Sequence, residues 1–205
     1  MKIIRYSLGE LQANCYFVAN DNKCLIIDPG DEADFILEEV QRKNLNPVGI
    51  LATHGHFDHV MAVGEIQASF DIPLYIFKED FFLLKRLKET AERFLSHKPA
   101  ILPIKKIFPI SEGKFQISNF KFQILAAPGH TPGSCCLYFK DEQAVFTGDT
   151  LFKDGIGRYD FSYSSKKDLF NSIKKILKLP EETTVYPGHG EETSILKEKN
   201  SPHLF

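Results

Sequence analysis

Four apolar runs in this 205-residue chain end alike. GILAT (49–53) leads into His54-Gly55-His56-Phe57-Asp58-His59, ILAAP (124–128) into Gly129-His130, and TVYP (184–187) into Gly188-His189. AVFT (144–147) leads into Gly148-Asp149, with a carboxylate in place of the imidazole. Short continuous apolar runs of this kind read as strands buried on both faces. Ligand-type side chains just beyond strand ends stand where sheet proteins build their sites. The glycines beside them let the backbone turn and approach closely. A fold with this sequence must bring four strand ends to one edge.

The remaining elements fit that demand. Strands are predicted over 2–6, 14–19, 23–27, 48–52, 73–77, 120–126, 135–139, 143–147 and 183–186. Asn20-Asp21-Asn22 joins two of them as a hairpin turn. Helices are predicted over 33–43, from His59 to about residue 69, over 79–95 and over 166–178. Residues 98–109, with Pro99, Pro103 and Pro109, read as a long connection, and the chain after Glu191 as a polar tail with an apolar tip. Mixed strands and helices without a repeat or linker predict one α/β (α+β) domain over 1–205, built of layered sheets with helices outside.

Composition excludes some classes. A net charge of −2 gives no global field for nucleic acid or an anionic membrane. No apolar run is long enough to span a bilayer. The first residues lack the apolar core of a signal peptide, so a cytoplasmic location is expected. Cys15, Cys24, Cys135 and Cys136 lie in apolar strand-like runs without metal-finger spacing, and are expected to be reduced and buried.

The pattern His-x-His-x-Asp-His has a chemical rationale. Residues two apart on a loop face the same way, so His54 and His56 suit one ion. Asp58 and His59, past the turn, aim at a second position. Five imidazoles and two carboxylates exceed the needs of one tetrahedral ion. They suit two divalent ions with one carboxylate between them. His97 and His203 lack this context and read as surface residues. Asp28, in Ile27-Asp28-Pro29-Gly30, reads from composition as turn chemistry, with orientation of a ligand imidazole as the alternative.

These motifs resemble the metallo-β-lactamase-fold hydrolases in order and spacing, over nearly the whole chain. Pro128-Gly129-His130-Thr131-Pro132-Gly133-Ser134, Phe146-Thr147-Gly148-Asp149-Thr150-Leu151-Phe152 and Gly155-Ile156-Gly157-Arg158 look like the glyoxalase II, or hydroxyacylglutathione hydrolase, group. The resemblance implies an αββα sandwich of two mixed sheets with outer helices. It implies His54, His56 and His130 at a first metal, Asp58, His59 and His189 at a second, and Asp149 bridging. It also implies that Asp28 orients a ligand, against the turn reading. Arg158 matches a basic residue that contacts glutathione, with an ordinary surface arginine as the alternative, and Tyr159 is a candidate neighbour in that pocket. The C-terminal helical domain of full glyoxalase II enzymes has no counterpart here, so the sequence resembles the shorter single-domain members. Lys85, Arg86, Lys88, Lys105 and Lys106 are candidates to line the cleft instead.

The expected activity is hydrolysis of a small-molecule thioester such as S-D-lactoylglutathione, with Asp58 and Asp149 as catalytic carboxylates. The expected cofactors are two divalent ions, zinc foremost, with iron and manganese also suited to the donors. One rival is a mononuclear-iron persulfide dioxygenase using His54, His130 and Asp149. A rival of another class is a non-catalytic metal-binding protein. Cys135-Cys136 lie mid-strand and no Gly-x-Ser-x-Gly elbow exists, so no covalent nucleophile competes.

Overall fold

Strands that are apolar on both faces need cover on both faces, and the chain provides it with four layers. The computed structural model describes residues 1–202; the apolar tip of the tail and His203 lie outside the described residues. The first half runs β1 (Lys2–Leu8), β2 (Ala13–Asn20), β3 (Lys23–Ile27), α1 (Ala33–Arg42), β4 (Asn46–Leu51), α2 (Phe57–Val60), α3 (Val63–Ser69), β5 (Leu74–Phe77), α4 (Phe81–Lys85), α5 (Leu87–Leu95) and β6 (Ile107–Ile110). The second runs β7 (Gly113–Ile117), β8 (Phe120–Ala126), β9 (Cys135–Phe139), β10 (Ala144–Gly148), a small ribbon of β11 (Leu151–Phe152) and β12 (Gly155–Ile156), α6 (Lys166–Ile176), β13 (Thr184–Pro187), β14 (Thr193–Ser194) and α7 (Ile195–Lys199).

Among the described residues these strands form two six-stranded sheets, ordered β1-β2-β3-β4-β5-β6 and β14-β13-β10-β9-β8-β7. Both are mixed. β3 to β6 pair in parallel, as do β10 and β13, while the other neighbours are antiparallel. Alternation along each strand divides its residues between two cores. Tyr16, Leu25, Ile27, Leu137, Phe139 and Phe146 fill the space between the sheets. Phe17, Cys24 and Ile26 face outward onto α1, α2, α3 and α5. Cys136, Tyr138 and Val145 face outward onto α6. Phe146 is almost wholly buried, and truncating such a side chain to Ala costs roughly 3–5 kcal/mol. The four cysteines are buried and free. Cys135 and Cys136 belong to different cores, so their thiols point to opposite faces.

The expected layered architecture is therefore present, with differences in detail. β6 begins inside the stretch read as connection and runs one residue past it, and β7 follows shortly after. β6 is an edge strand, so Pro109 costs it no ladder bond. The helix predicted over 79–95 is a 3₁₀ turn at Lys78–Asp80 followed by α4 and α5, broken at Arg86. The helix predicted from His59 begins at Phe57 and is interrupted between α2 and α3. No helix among the described residues is long and apolar enough to cross a membrane.

Candidate metal centre

The two sheets are stitched together at one edge. Asn14 donates its backbone N–H to Gly188 O (2.7 Å), and Cys135 donates its own to Thr53 O (2.8 Å). The Tyr16 hydroxyl donates to Pro187 O at 2.6 Å. That edge receives the ends of β3, β4, β8, β10 and β13, and with them Asp28, His54, His130, Asp149 and His189. Side-chain-free backbone is required there. A Cβ on Gly188 would lie 2.3 Å from Asp149 Oδ1 and 2.8 Å from the His59 ring. Gly129, at φ +143°, presses against the backbone of Leu169 at the start of α6.

All seven predicted ligand residues converge. His56 Nδ1 lies 3.1 Å from His54 Nε2 and 3.0 Å from His130 Nε2. Asp58 Oδ2 lies 3.7 Å from His59 Nε2 and 3.3 Å from His189 Nε2. Asp149 stands between the two groups. Its Oδ1 is 3.4 Å from His59 Nε2 and 3.7 Å from His189 Nε2, while its Oδ2 is 3.5 Å from His130 Nε2. The residues fit divalent ions on two independent grounds. Ligand atoms of one tetrahedral zinc are separated by roughly 3.3 Å, given bonds of about 2 Å. The spacings of the first group come close to that. In addition, His59 Nε2 and Asp149 Oδ1 are buried without a hydrogen-bond partner among the described residues. Such atoms are costly unless something else satisfies them.

The outer nitrogens explain why the inner ones are available. His54 Nδ1 meets Thr53 Oγ1 (3.1 Å), whose proton goes to Asp28 Oδ2 (2.6 Å). His59 Nδ1 meets Asp28 Oδ2 at 3.1 Å. His130 Nδ1 meets Arg158 O at 2.8 Å, and His189 Nδ1 meets Leu11 O at 3.1 Å. His56 Nε2 meets the Tyr163 hydroxyl at 2.8 Å. Each outer nitrogen thus faces an acceptor, which fixes its tautomer and turns a lone pair inward. Asp28 serves two of the five imidazoles, and also accepts the Thr53 backbone N–H at 2.7 Å. It holds this position with φ at +50°, a left-handed conformation an aspartate tolerates better than most residues.

Charge is unevenly spread. Burial, then the neighbouring imidazoles, pushes His54 well below its ordinary pKa, and the same causes bring His56 down to about 3. Burial would also lower His59, but Asp58 and Asp149 outweigh it and raise His59 well above its ordinary value. Burial alone would raise Asp149, yet the surrounding imidazoles, His59 first, hold it well below the usual carboxylate range. One group is therefore neutral and rich in lone pairs, and the other sets two carboxylates beside two imidazoles, His59 and His189, that they hold toward the protonated form against the effect of burial. Both environments favour a cation, whose binding would displace the His59 proton.

Residues that sequence reasoning missed support this centre. Asp80 is wholly buried. It accepts the Gly55 N–H (2.8 Å) and the Thr131 hydroxyl (2.7 Å) at Oδ2, and the Gly133 N–H (2.7 Å) at Oδ1. It thereby ties the loop of His54 and His56 to the loop of His130. Its only sequence signal was an acid directly before the apolar Phe81-Phe82-Leu83-Leu84. Thr53 and Tyr163 carried no signal beyond proximity to other motifs.

A cleft of about 330 Å³ opens over the centre. Arg158 lines it, but its guanidinium is held bidentately by Asp160 (both contacts 2.9 Å) and lies over the Phe161 ring. Tyr159 is absent from the cleft lining and packs instead near Phe170 and Lys166. Lys85 and Lys88 line a separate groove, Arg86 pairs with Glu89, and Lys106 pairs with Asp71. What α5 gives the cleft is Thr90 and Phe94. His97 is exposed, as expected.

Comparison with known proteins agrees with this geometry. A family model described as the metallo-beta-lactamase superfamily matches residues 8–189. The hydroxyacylglutathione hydrolase GloC of Haemophilus influenzae is 38% identical over 195 residues, covering 93% of this chain and 91% of that protein. The crystal structure of the BLEG-1 B3 metallo-beta-lactamase has a TM-score of 0.91 at 35% identity, covering 99% of both chains. The structure of TTHA1623 in a di-iron-bound form has a TM-score of 0.89 at 38% identity, covering 97% of this chain and 98% of that one.

Proposed function

The chain belongs to the metallo-β-lactamase superfamily, and we propose that it hydrolyses a thioester at a centre of two divalent ions. His54 Nε2, His56 Nδ1 and His130 Nε2 would hold one ion; Asp58, His59 Nε2 and His189 Nε2 would hold the other. Asp149 would offer Oδ2 to the first group and Oδ1 to the second. The observation that carries this reading is Asp149 itself, whose two oxygens face different groups at 3.4–3.7 Å. Zinc is the proposed metal. The di-iron form of TTHA1623 supports iron as the alternative.

When bound, the ions supply Lewis acidity that polarises the scissile carbonyl and makes water nucleophilic at neutral pH. The protein's own contribution is orientation and proton handling. Asp28, Thr53, Tyr163 and the carbonyls of Leu11 and Arg158 keep each imidazole in the tautomer that points its lone pair inward. Burial would raise the Asp58 carboxyl, but His59 and then His189 hold it below the usual range. Asp58 is thus ionised at neutral pH, lines the cleft, and would accept the proton of an attacking water. A thiolate leaving group, with a pKa of about 8.5, departs without an acid.

The likeness to GloC supports the thioester reading. The likeness to BLEG-1 favours a second one, β-lactam hydrolysis by the same groups. A mononuclear dioxygenase would use His54, His130 and Asp149 and leave the Asp58–His59–His189 group without a task. A panel of thioesters, β-lactams and a persulfide, given to protein of known metal content, decides between them. Thioester turnover exceeding the others supports the proposal. Oxygen consumption with the persulfide, or turnover of β-lactams alone, overturns it.

A further inference from the structure

The floor of the cleft is polar, but its walls are not. Phe152 stands beside the second group of ligand-type residues, with its ring 6.2 Å from that of His189. Phe161 stands beside the first, 5.2 Å from His56 and 5.8 Å from His130. Ile156 also lines the cleft. Phe57 and Phe94 close another stretch, with rings 5.7 Å apart. The rim carries Leu11 and Phe94, which are 41% and 49% exposed. Apolar side chains left in water around a functional cleft are unfavourable unless a ligand covers them.

The charges point the same way. Among the described residues, Arg158 is the one Lys or Arg lining this cleft, and Asp160 already engages it through two hydrogen bonds. An anionic tripeptide such as glutathione, with two carboxylates, would meet a single cation whose charge is largely spent. An apolar group would meet Phe57, Phe94, Phe152 and Phe161.

Building on the thioester reading, we infer that the substrate's recognition element is a bulky apolar acyl group, medium-chain or aryl, and that glutathione is dispensable as the carrier. The acyl chain lies along the aromatic walls while its carbonyl sits over the ligand groups. The thiol half projects past the rim.

The test is a series of N-acetylcysteamine thioesters (acetyl, butyryl, hexanoyl, phenylacetyl) with S-D-lactoylglutathione alongside, on metal-loaded protein. Burial of methylenes in a half-open cleft predicts kcat/KM rising about twofold per added methylene, at least tenfold from acetyl to hexanoyl. Exchanging the carrier for glutathione under the same acyl group should change kcat/KM by less than about threefold, since rim charges contribute little. Phe94→Ala should flatten the series, and because Phe94 is half-exposed the replacement leaves the core intact. A flat chain-length series, or S-D-lactoylglutathione surpassing every apolar substrate, overturns the inference while leaving thioester hydrolysis standing. If no thioester turns over, the thioester reading falls, and calorimetry with acetate, hexanoate and phenylacetate judges the cleft alone. Rising affinity along that acid series then supports an apolar subsite, and equal affinities overturn it.

Discussion

Replacing Asp80 by Asn preserves the shape of a wholly buried side chain and removes one of its two acceptors. In the structure Oδ1 receives the Gly133 N–H, while Oδ2 receives the Gly55 N–H and the Thr131 hydroxyl. An amide has a single oxygen. Whichever way it is turned, one backbone N–H faces an NH₂ group and goes unpaired. A buried unpaired donor costs about 1–3 kcal/mol, which sets the expected loss for Asp80→Asn. Asp80→Ala loses all three bonds and opens a cavity, so roughly 3–5 kcal/mol is expected. Urea denaturation with an unchanged m-value measures both losses. The two tethered loops carry His54, His56 and His130, so Asp80→Asn should also weaken the first metal about tenfold or more in chelator competition, as loss of a supporting contact generally does. A stability change under about 0.5 kcal/mol, with metal affinity unaltered, would refute the reasoning, since that is the scale of neutral surface changes.

Two further outcomes concern Tyr163, beside His56, and Glu39 on α1. Tyr163→Phe removes the acceptor of His56 Nε2 and should lower affinity at the first metal about tenfold. Chelator competition checks this, and equal loss at both metals would show that Tyr163 acts on the whole fold. Glu39 is held by Arg42, then Tyr6, which bring its carboxyl from 4.5 down to about 2. The folded value is the lower one, so this stabilisation is complete above about pH 4.5 and is lost as the pH falls toward 2. Arg42 stands largely in solvent, which keeps the contribution small. Glu39→Gln should therefore flatten stability across that window, and an unchanged slope between parent and variant would contradict it.

Much of this molecule can be read from its sequence, and the unreadable part has a common cause. The strand ends carrying His54, His130, Asp149 and His189 announce themselves because apolar continuity and glycine are local signals. Asp28 is a harder case. Its composition suggests a turn, and the backbone does turn there, but the side chain reaches Thr53 and His59, 25 and 31 residues away. Tyr163 meets His56 across 107 residues and Asp80 meets Thr131 across 51. No periodicity reports contacts at such separations. The cleft wall was hidden for a related reason. Eighteen Phe are scattered along the chain, and only packing decides that Phe57, Phe94, Phe152 and Phe161 face the site while Phe17, Phe139 and Phe146 fill the cores. β6 escaped notice because Pro109 argues against a strand except at an edge. The unbroken helix expected over 79–95 failed at Arg86, where the backbone takes φ −104°, ψ 9° between two short helices.

Metal stoichiometry tests most directly whether Asp149 joins two ion sites. Protein stripped with a chelator and titrated with zinc should saturate at about two ions per chain, as two-metal hydrolases do. Asp149→Ala should weaken both steps, because each carboxylate oxygen faces a different group of ligands. Saturation of the parent chain at one ion, or an Asp149→Ala titration indistinguishable from it, would contradict that assignment.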